Sequence, residues 1–468
     1  MKRREFLGAC ALGAAAGAAL PALSRTAASA EAKNAAGAKR PNVVFLLSDD
    51  QRYDTIHALG NDLIRTPNLD ALAAAGTAFT NPYIMGGTGG AICVCTRSMV
   101  MTGRTIWRAP DNMGDFALWP QVFGRAGYVT FGTGKWHNGS ASFARCFSGG
   151  GNIFFGGMAN HLKVPVYDFD PTGKYPKAAA REAGKFSSEL FSDTAVGFLR
   201  GYKEDKPFFL YVPYTAPHDP RMPPEKFAAM YPPEKMPVPK NFMPEHPFDN
   251  GELKVRDEML APHPRTPEVV QKHLADYYGM ISHLDEQVGR VLAALEESGR
   301  ARDTIVIFAG DNGLALGQHG LFGKQSVYEH SVRVPFLMRG PGVPAGERRD
   351  AFAYILDLFP TICEMAGVAA PDTVEGKSLV PVLKDKSARV HDTVFAAYRG
   401  FQRMVRDERY KLITYSVKGE KRTQLFDLAE DPWETKDLSA DPACARQRAS
   451  LEARLREWQK QTGDPSAA

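Results

Sequence analysis

Three acids and an amide stand where two apolar runs end. Asp49 and Asp50 follow the run Asn42 to Ser48 (NVVFLLS), and Asp311 and Asn312 follow a second run that opens at Thr304 (TIVIFAG). Either pair alone suits a solvated turn, because Asp311-Asn312-Gly313 is also good turn chemistry. Together, at the ends of two buried strands, they would repel one another strongly unless a cation sat among them. Hard oxygen ligands select Ca2+, and less strongly Mg2+, over zinc or copper.

Sulfur is the second source of chemistry. Six cysteines are present, and Cys10 lies in a segment that reads as removable, which leaves Cys93, Cys95, Cys146, Cys363 and Cys444. An odd remainder argues against a disulfide framework and marks at least one thiol for another purpose. Cys93 and Cys95 form a CxC with no second CxxC or CxH partner at metal spacing, so zinc is the weaker reading. An isolated cysteine at a helix start is more often a buried structural thiol.

These groups need elements to hold them. Asn42 to Ser48 is continuous and apolar, the pattern of a buried parallel strand. Further strands are expected as YVTFGTG near residue 130, FFLYV near 210 and TIVIFAG from Thr304. Thr66-Pro67 opens one helix and Gly76 closes it. A longer helix is expected from about Val269 to Glu297, with Tyr278, Ile281, Leu284, Val288, Val291 and Leu292 at helical spacing. Strands alternating with helices imply a doubly wound α/β sheet. Ligands of such sheets sit outside the carboxyl ends of the strands, where both acid pairs would arrive.

A chain of 468 residues with 44% hydrophobic side chains buries a large core and suits one big domain with a smaller appendage. Residues 220–267 are rich in Pro, Lys, Glu and His without a period and read as a long ordered insertion. From 385 to 468 the pattern changes to short amphipathic strands and a closing helix, a small α+β subdomain with an antiparallel sheet. The 57 basic and 53 acidic side chains are spread evenly, for a net charge of +4, so no nucleic-acid partner is implied.

Lys2, Arg3 and Arg4 precede an Ala/Gly/Leu run and then Ala28-Ser29-Ala30, which reads as an export signal over 1–30. Its apolar stretch falls short of the roughly 20 residues that span a bilayer, so no stable membrane span is expected after its removal. Arg3-Arg4-Glu5-Phe6-Leu7 resembles a twin-arginine signal, whose route carries folded proteins, and the expected location is periplasmic or secreted. An Ala-rich linker covers 31–40, and a catalytic domain 41–384.

The segment from Gly89 to Arg104 resembles the signature of the formylglycine-dependent sulfatases, in the alkaline-phosphatase-like superfamily. Cys93 takes the first position of the signature, Arg97 its arginine, and Thr102-Gly103-Arg104 its closing triplet. Cys95 stands where proline is usual, and Thr96 where serine is. Three more stretches match in order: Gly134-Lys135-Trp136-His137, Ala216-Pro217-His218-Asp219-Pro220 and Gly323-Lys324. Leu425-Phe426-Asp427-Leu428 and Asp431-Pro432-Trp433-Glu434-Thr435 resemble the closing segment of the family.

The resemblance implies an alkaline-phosphatase-like sandwich, with a large mixed, mostly parallel sheet flanked by helices. It implies that Cys93 is oxidised to formylglycine by a maturation enzyme, and that the hydrated form attacks the sulfur of a sulfate ester, with a sulfated carbohydrate as the expected substrate. Asp49, Asp50, Cys93, Asp311 and Asn312 would hold the cation. Lys135 and Lys324 would bind sulfate, and His218, or Lys324 beside it, would protonate the leaving group. Asp311 would act as base, with His137 and Arg97 on the nucleophile. His319 is a further candidate for substrate contact, and His246, Arg256, Arg265, Arg399 and Arg403 are candidates for a sugar. The rival readings are a phosphodiesterase or phosphonate monoester hydrolase of the same superfamily, or a non-catalytic sulfoglycan-binding protein in which Cys95 blocks maturation.

Overall fold

A computed structural model describes residues 39–467. The expected signal, and the linker up to residue 38, lie outside the described residues. Eight strands form the main sheet, in the order Glu347–Tyr354, Thr77–Tyr83, Phe336–Arg339, Thr304–Gly310, Asn42–Ser48, Phe208–Pro213, Val129–Lys135 and Gly149–Phe154. Only Phe336–Arg339 runs antiparallel to its neighbours. The sheet is therefore mixed and mostly parallel, as the α/β pattern implies.

The central strands are apolar throughout because both faces are covered. Every residue of Asn42–Ser48 and of Thr304–Gly310 is buried. Their register aligns Ser48 with Gly310, and Leu47 with Pro213 of the next strand. Chain that leaves these three strands consequently emerges at one edge, and Asp49-Asp50 and Asp311-Asn312 meet there.

Helix Pro267–Glu297 starts two residues earlier than expected. Proline occupies its first turn, and the Thr266 side chain accepts a hydrogen bond from the Val269 N–H. Its buried face includes Leu274, Tyr277, Ile281, Leu284, Val288 and Val291. Tyr277 reaches beyond packing: its hydroxyl donates to the Asp50 carbonyl at 2.5 Å and accepts from the Arg52 N–H at 2.9 Å. The helix thus fixes the loop that presents Asp50, whose backbone holds φ 63°. A non-glycine residue is uncommon in that region.

A second sheet stacks Glu420–Asp427, Tyr410–Val417, Gln402–Arg406 and Val394–Tyr398 as antiparallel neighbours. Its fifth strand is the two-residue Gly86–Gly87, which runs parallel to Val394–Tyr398. Glycine is required at the join: Gly86 has φ +83°, and a Cβ there would lie 2.1 Å from the Ala397 carbonyl oxygen. The segment that leads into Cys93 is therefore stitched to the C-terminal sheet. Helix Ala445–Thr462 closes the chain, with Leu451, Leu455 and Trp458 buried. Among the described residues no helix is long and apolar enough to cross a membrane, and all five described cysteines are free.

Candidate active site

Four loops and one helix start converge at the carboxyl edge of the main sheet. Helix Ile92–Thr102 begins after the extended residue Ala91, which places Cys93 in the first turn, and ends at Gly103 in the left-handed conformation. Cys93 faces the end of the Val129–Lys135 strand: its Sγ lies 3.6 Å from Lys135 Nζ and 3.3 Å from His137 Nδ1. Cys95, two residues and about half a helical turn further on, points away and donates to Asp111 at 3.3 Å.

The acids close the other side. Lys135 Nζ donates to Asp49, and Lys324 Nζ donates to Asp50 Oδ1 at 2.7 Å. Asn312 Nδ2 also donates to Asp50 Oδ1 at 2.7 Å, and Asp311 Oδ1 accepts from the Asp50 N–H at 3.1 Å. Asp49, Cys93 and Asp311 bring ligand atoms within 4.8 Å of one another, as do Asp49, Asp50 and His218. The Asp49 Oδ1 and Asn312 Oδ1 atoms are buried with no hydrogen-bond partner. Unpaired buried oxygens are costly, and two of them among three carboxylates suit a hard divalent cation, so the residues fit the group.

Charge is unevenly shared. Burial works against the Asp49 carboxylate, but Lys135, His218, Arg97 and Lys324 hold it well below the usual range. Burial, and then the Asp49 charge, push Asp311 up to about 7. Two carboxylates facing each other in a dry site disfavour joint ionisation, and a cation relieves that. Burial and the cations Lys135 and Arg97 push His137 down to about 2, so its ring is neutral. Burial raises the Cys93 thiol despite Lys135 and Lys324.

Arg97 is anchored among the acids, beside Cys93. Its Nε donates to Asp311 Oδ2 at 2.9 Å, its Nη1 to the Lys135 carbonyl, and its Nη2 to the Tyr214 carbonyl at 3.4 Å. All three nitrogens have protein partners, so Arg97 holds the acids and the Lys135 strand end, and its charge reaches Cys93. His319 is not brought to the cleft at all. Its ring stacks on Tyr328 at 4.0 Å, and its Nε2 lies 3.1 Å from Asn241 Nδ2.

Among the sugar candidates, Arg265 is buried in an ion pair with Glu258, Arg403 in one with Asp464, and His246 lies 2.8 Å from the His319 carbonyl. Arg256 lines the cleft, and Arg399 lies against Gly90 at its rim.

The cleft above Cys93 holds about 220 Å³ and is lined by His137, His218 and Lys324 as well. His218 Nδ1 lies 2.8 Å from the Asp219 carbonyl, and the His218 carbonyl lies 2.9 Å from His161 Nε2. His161, Asp257 and Gln325 carry no sequence signal of their own, and Asp219 stands in a matched stretch with no role assigned to it. Asp219 adjoins a motif histidine and Gln325 adjoins Lys324, which is the only local hint.

Gly157 packs on the far side of His137, where a Cβ would lie 2.6 Å from Nε2. Gly157→Ala is expected to displace the ring rather than the backbone. Overpacking costs about 1–3 kcal/mol of stability, so Tm should fall by a few degrees, and displacing the ring should lower kcat for sulfate release roughly tenfold or more. An unchanged kcat would remove His137 from the working site.

A buried oxygen cage, a cysteine in the first turn of a helix and two buried lysines suit an ester of a tetrahedral oxyanion. Comparison with known proteins agrees. The sulfatase family profile matches residues 41–368, and the C-terminal profile of N-sulphoglucosamine sulphohydrolase matches residues 317–461. An arylsulfatase of Clostridium perfringens is 29% identical over 441 residues, covering 85% of this chain and 90% of that protein. An N-acetylglucosamine-6-O-sulfatase of Bacteroides thetaiotaomicron is 27% identical over 503 residues, covering 91% and 87%. A solved structure in complex with its substrate D-glucosamine-2-N,6-O-disulfate shares the fold, with a TM-score of 0.78 at 24% identity, covering 92% of this chain and 99% of that one. The chain belongs to the sulfatase family and is a sulfuric ester hydrolase.

Proposed function

We propose that the protein releases inorganic sulfate from a sulfated carbohydrate, with formylglycine made from Cys93 as nucleophile and Ca2+ in the acid cage. The observation that carries this reading is the position of Cys93 Sγ, 3.6 Å from Lys135 Nζ and 3.3 Å from His137 Nδ1, beside the orphaned Asp49 Oδ1. Asp49, Asp50, Asp311, Asn312 and residue 93 would hold the cation, which supplies charge to stabilise the attacking and non-bridging oxygens. Hydrated formylglycine supplies one hydroxyl for attack at sulfur and a second that drives sulfate out.

The chain's own groups do the rest. Lys135 and Lys324 place ammonium charge where the sulfate oxygens gather it, in a buried site where charge acts strongly. Asp311, held by Arg97 and the Asp50 N–H, takes the proton of the nucleophile. His218 directs Nδ1 to the Asp219 carbonyl and leaves Nε2 for the leaving oxygen, with Asp50 Oδ2 3.6 Å from that nitrogen. Lys324 is the second donor within reach of that oxygen. His137 steadies residue 93.

The reading includes a maturation enzyme as a transient partner, export by the twin-arginine-type segment, and action in the periplasm or outside the cell. Mass spectrometry of the peptide containing residue 93, from protein made in its native host, is expected to find aldehyde. Thiol alone, without sulfate release, would leave a sulfoglycan-binding protein. Turnover of phosphonate monoesters above sulfate esters would favour the phosphonate rival instead.

A further inference from the structure

Beside the sulfate-facing groups the cleft has a second polar wall. Arg256 donates from Nη1 and Nη2 to Asp219 at 2.7 and 2.9 Å, and from Nη2 to Asp257 Oδ1 at 2.5 Å. Gln325 Nε2 donates to Asp257 Oδ2 at 2.7 Å and to the Gly90 carbonyl at 3.0 Å. The next residue, Glu258, accepts from the Phe322 and Gly323 N–H groups at 2.9 and 2.8 Å. Those contacts lock the insertion to the loop that carries Lys324, so the wall is rigid. Val255 and Met158 supply an apolar side to the same cleft.

Two consequences follow from size and charge. The roughly 220 Å³ available lies below the about 300–1,000 Å³ of sites for drug-sized ligands, so a single small unit enters beside the sulfate. Beyond the sulfate-facing groups the cleft is lined by the Asp257 carboxylate and by Arg256, whose Nη1 and Nη2 are taken up by Asp219. Each Asp257 oxygen already accepts one hydrogen bond and keeps a lone pair for another. Such a wall accepts hydroxyls or an ammonium, and repels a carboxylate held at the same distance.

We propose that Asp257 is a specificity-determining residue, selecting a single neutral or amino-bearing sulfated sugar unit and rejecting one with a uronate carboxylate beside the ester. The inference rests on the sulfatase reading above.

The test compares kcat/KM on matched pairs, glucose 2- and 3-sulfate against glucuronic acid 2- and 3-sulfate, with 4-nitrophenyl sulfate as a substrate that lacks hydroxyls. The wild-type enzyme is expected to favour the neutral sugar at least about tenfold at each matched position, the size of one close charge interaction. Asp257→Asn should shrink that ratio roughly tenfold. Asp257→Ala should lower sugar turnover roughly 10- to 100-fold more than aryl sulfate turnover, as expected for a lost hydrogen bond to a charged group. A wild-type preference for the uronate overturns the inference without any variant having to fold. So does a ratio that Asp257→Asn leaves unchanged. Failure to hydrolyse any of the five esters would sink the sulfatase reading itself, which an inverted ratio would leave standing.

Discussion

Cys93→Ala is expected to abolish sulfate release while leaving the response to Ca2+ largely in place. Removing the covalent nucleophile of a serine protease costs about 10^6-fold in kcat, and the alanine variant leaves nothing at residue 93 to attack sulfur. Asp49, Asp50, Asp311 and Asn312 still offer oxygen to the cation. Sulfate release and the Ca2+-dependent rise in Tm should therefore separate in this variant. Cys93→Ser sharpens the test. A serine hydroxyl accepts sulfate but has no second hydroxyl to expel it, so intact-protein mass is expected to show a sulfated residue 93 with no turnover. Wild-type rates in either variant would refute the nucleophile.

Asp49→Asn carries the second large effect, and it is double. Lys135 Nζ donates to Asp49, and the Arg97 Nη2 lies 3.7 Å away, so the variant leaves two buried cations short of a partner. Breaking a buried pair from one side costs about 3–5 kcal/mol, and Tm without metal should fall by several degrees. Ca2+ at 100 times its Kd adds about 2.7 kcal/mol to a competent site. That increment should be present in the wild-type protein after chelation and Ca2+ return, and missing in Asp49→Asn. Calorimetry with and without Ca2+ decides it, because a full Ca2+ increment in the variant would take Asp49 out of the cage.

The sequence disclosed what local patterning encodes. Asn42–Ser48 and Thr304–Gly310 were legible because strands buried on both faces must be apolar throughout. The outer strands were not. Gly149–Phe154 opens with three glycines, Thr77–Tyr83 contains Pro82, and Phe336–Arg339 is four residues long. Each owes its strand state to a neighbour already in place. The site divides in the same way. Asp49, Asp50, Asp311, Asn312, Cys93, Lys135, His137, His218 and Lys324 stand in motifs, and the fold gathers them. The wall of Arg256, Asp219, Asp257 and Gln325 joins residues far apart in the chain, and no periodicity reports a contact of that kind. His319 shows the opposite failure, where a loop position named the residue but only packing could say which way it faces.

The pairing of Gly86–Gly87 with Val394–Tyr398 also sets a schedule. The stretch that leads into Cys93 lacks its sheet partner until roughly 300 more residues have left the ribosome. At about 5–20 residues per second, Cys93 spends tens of seconds as part of an unfinished chain. In the finished fold the same thiol is 2% exposed, out of reach of any modifying enzyme. Late pairing with the C-terminal sheet leaves time during synthesis for the processing that the proposed function requires.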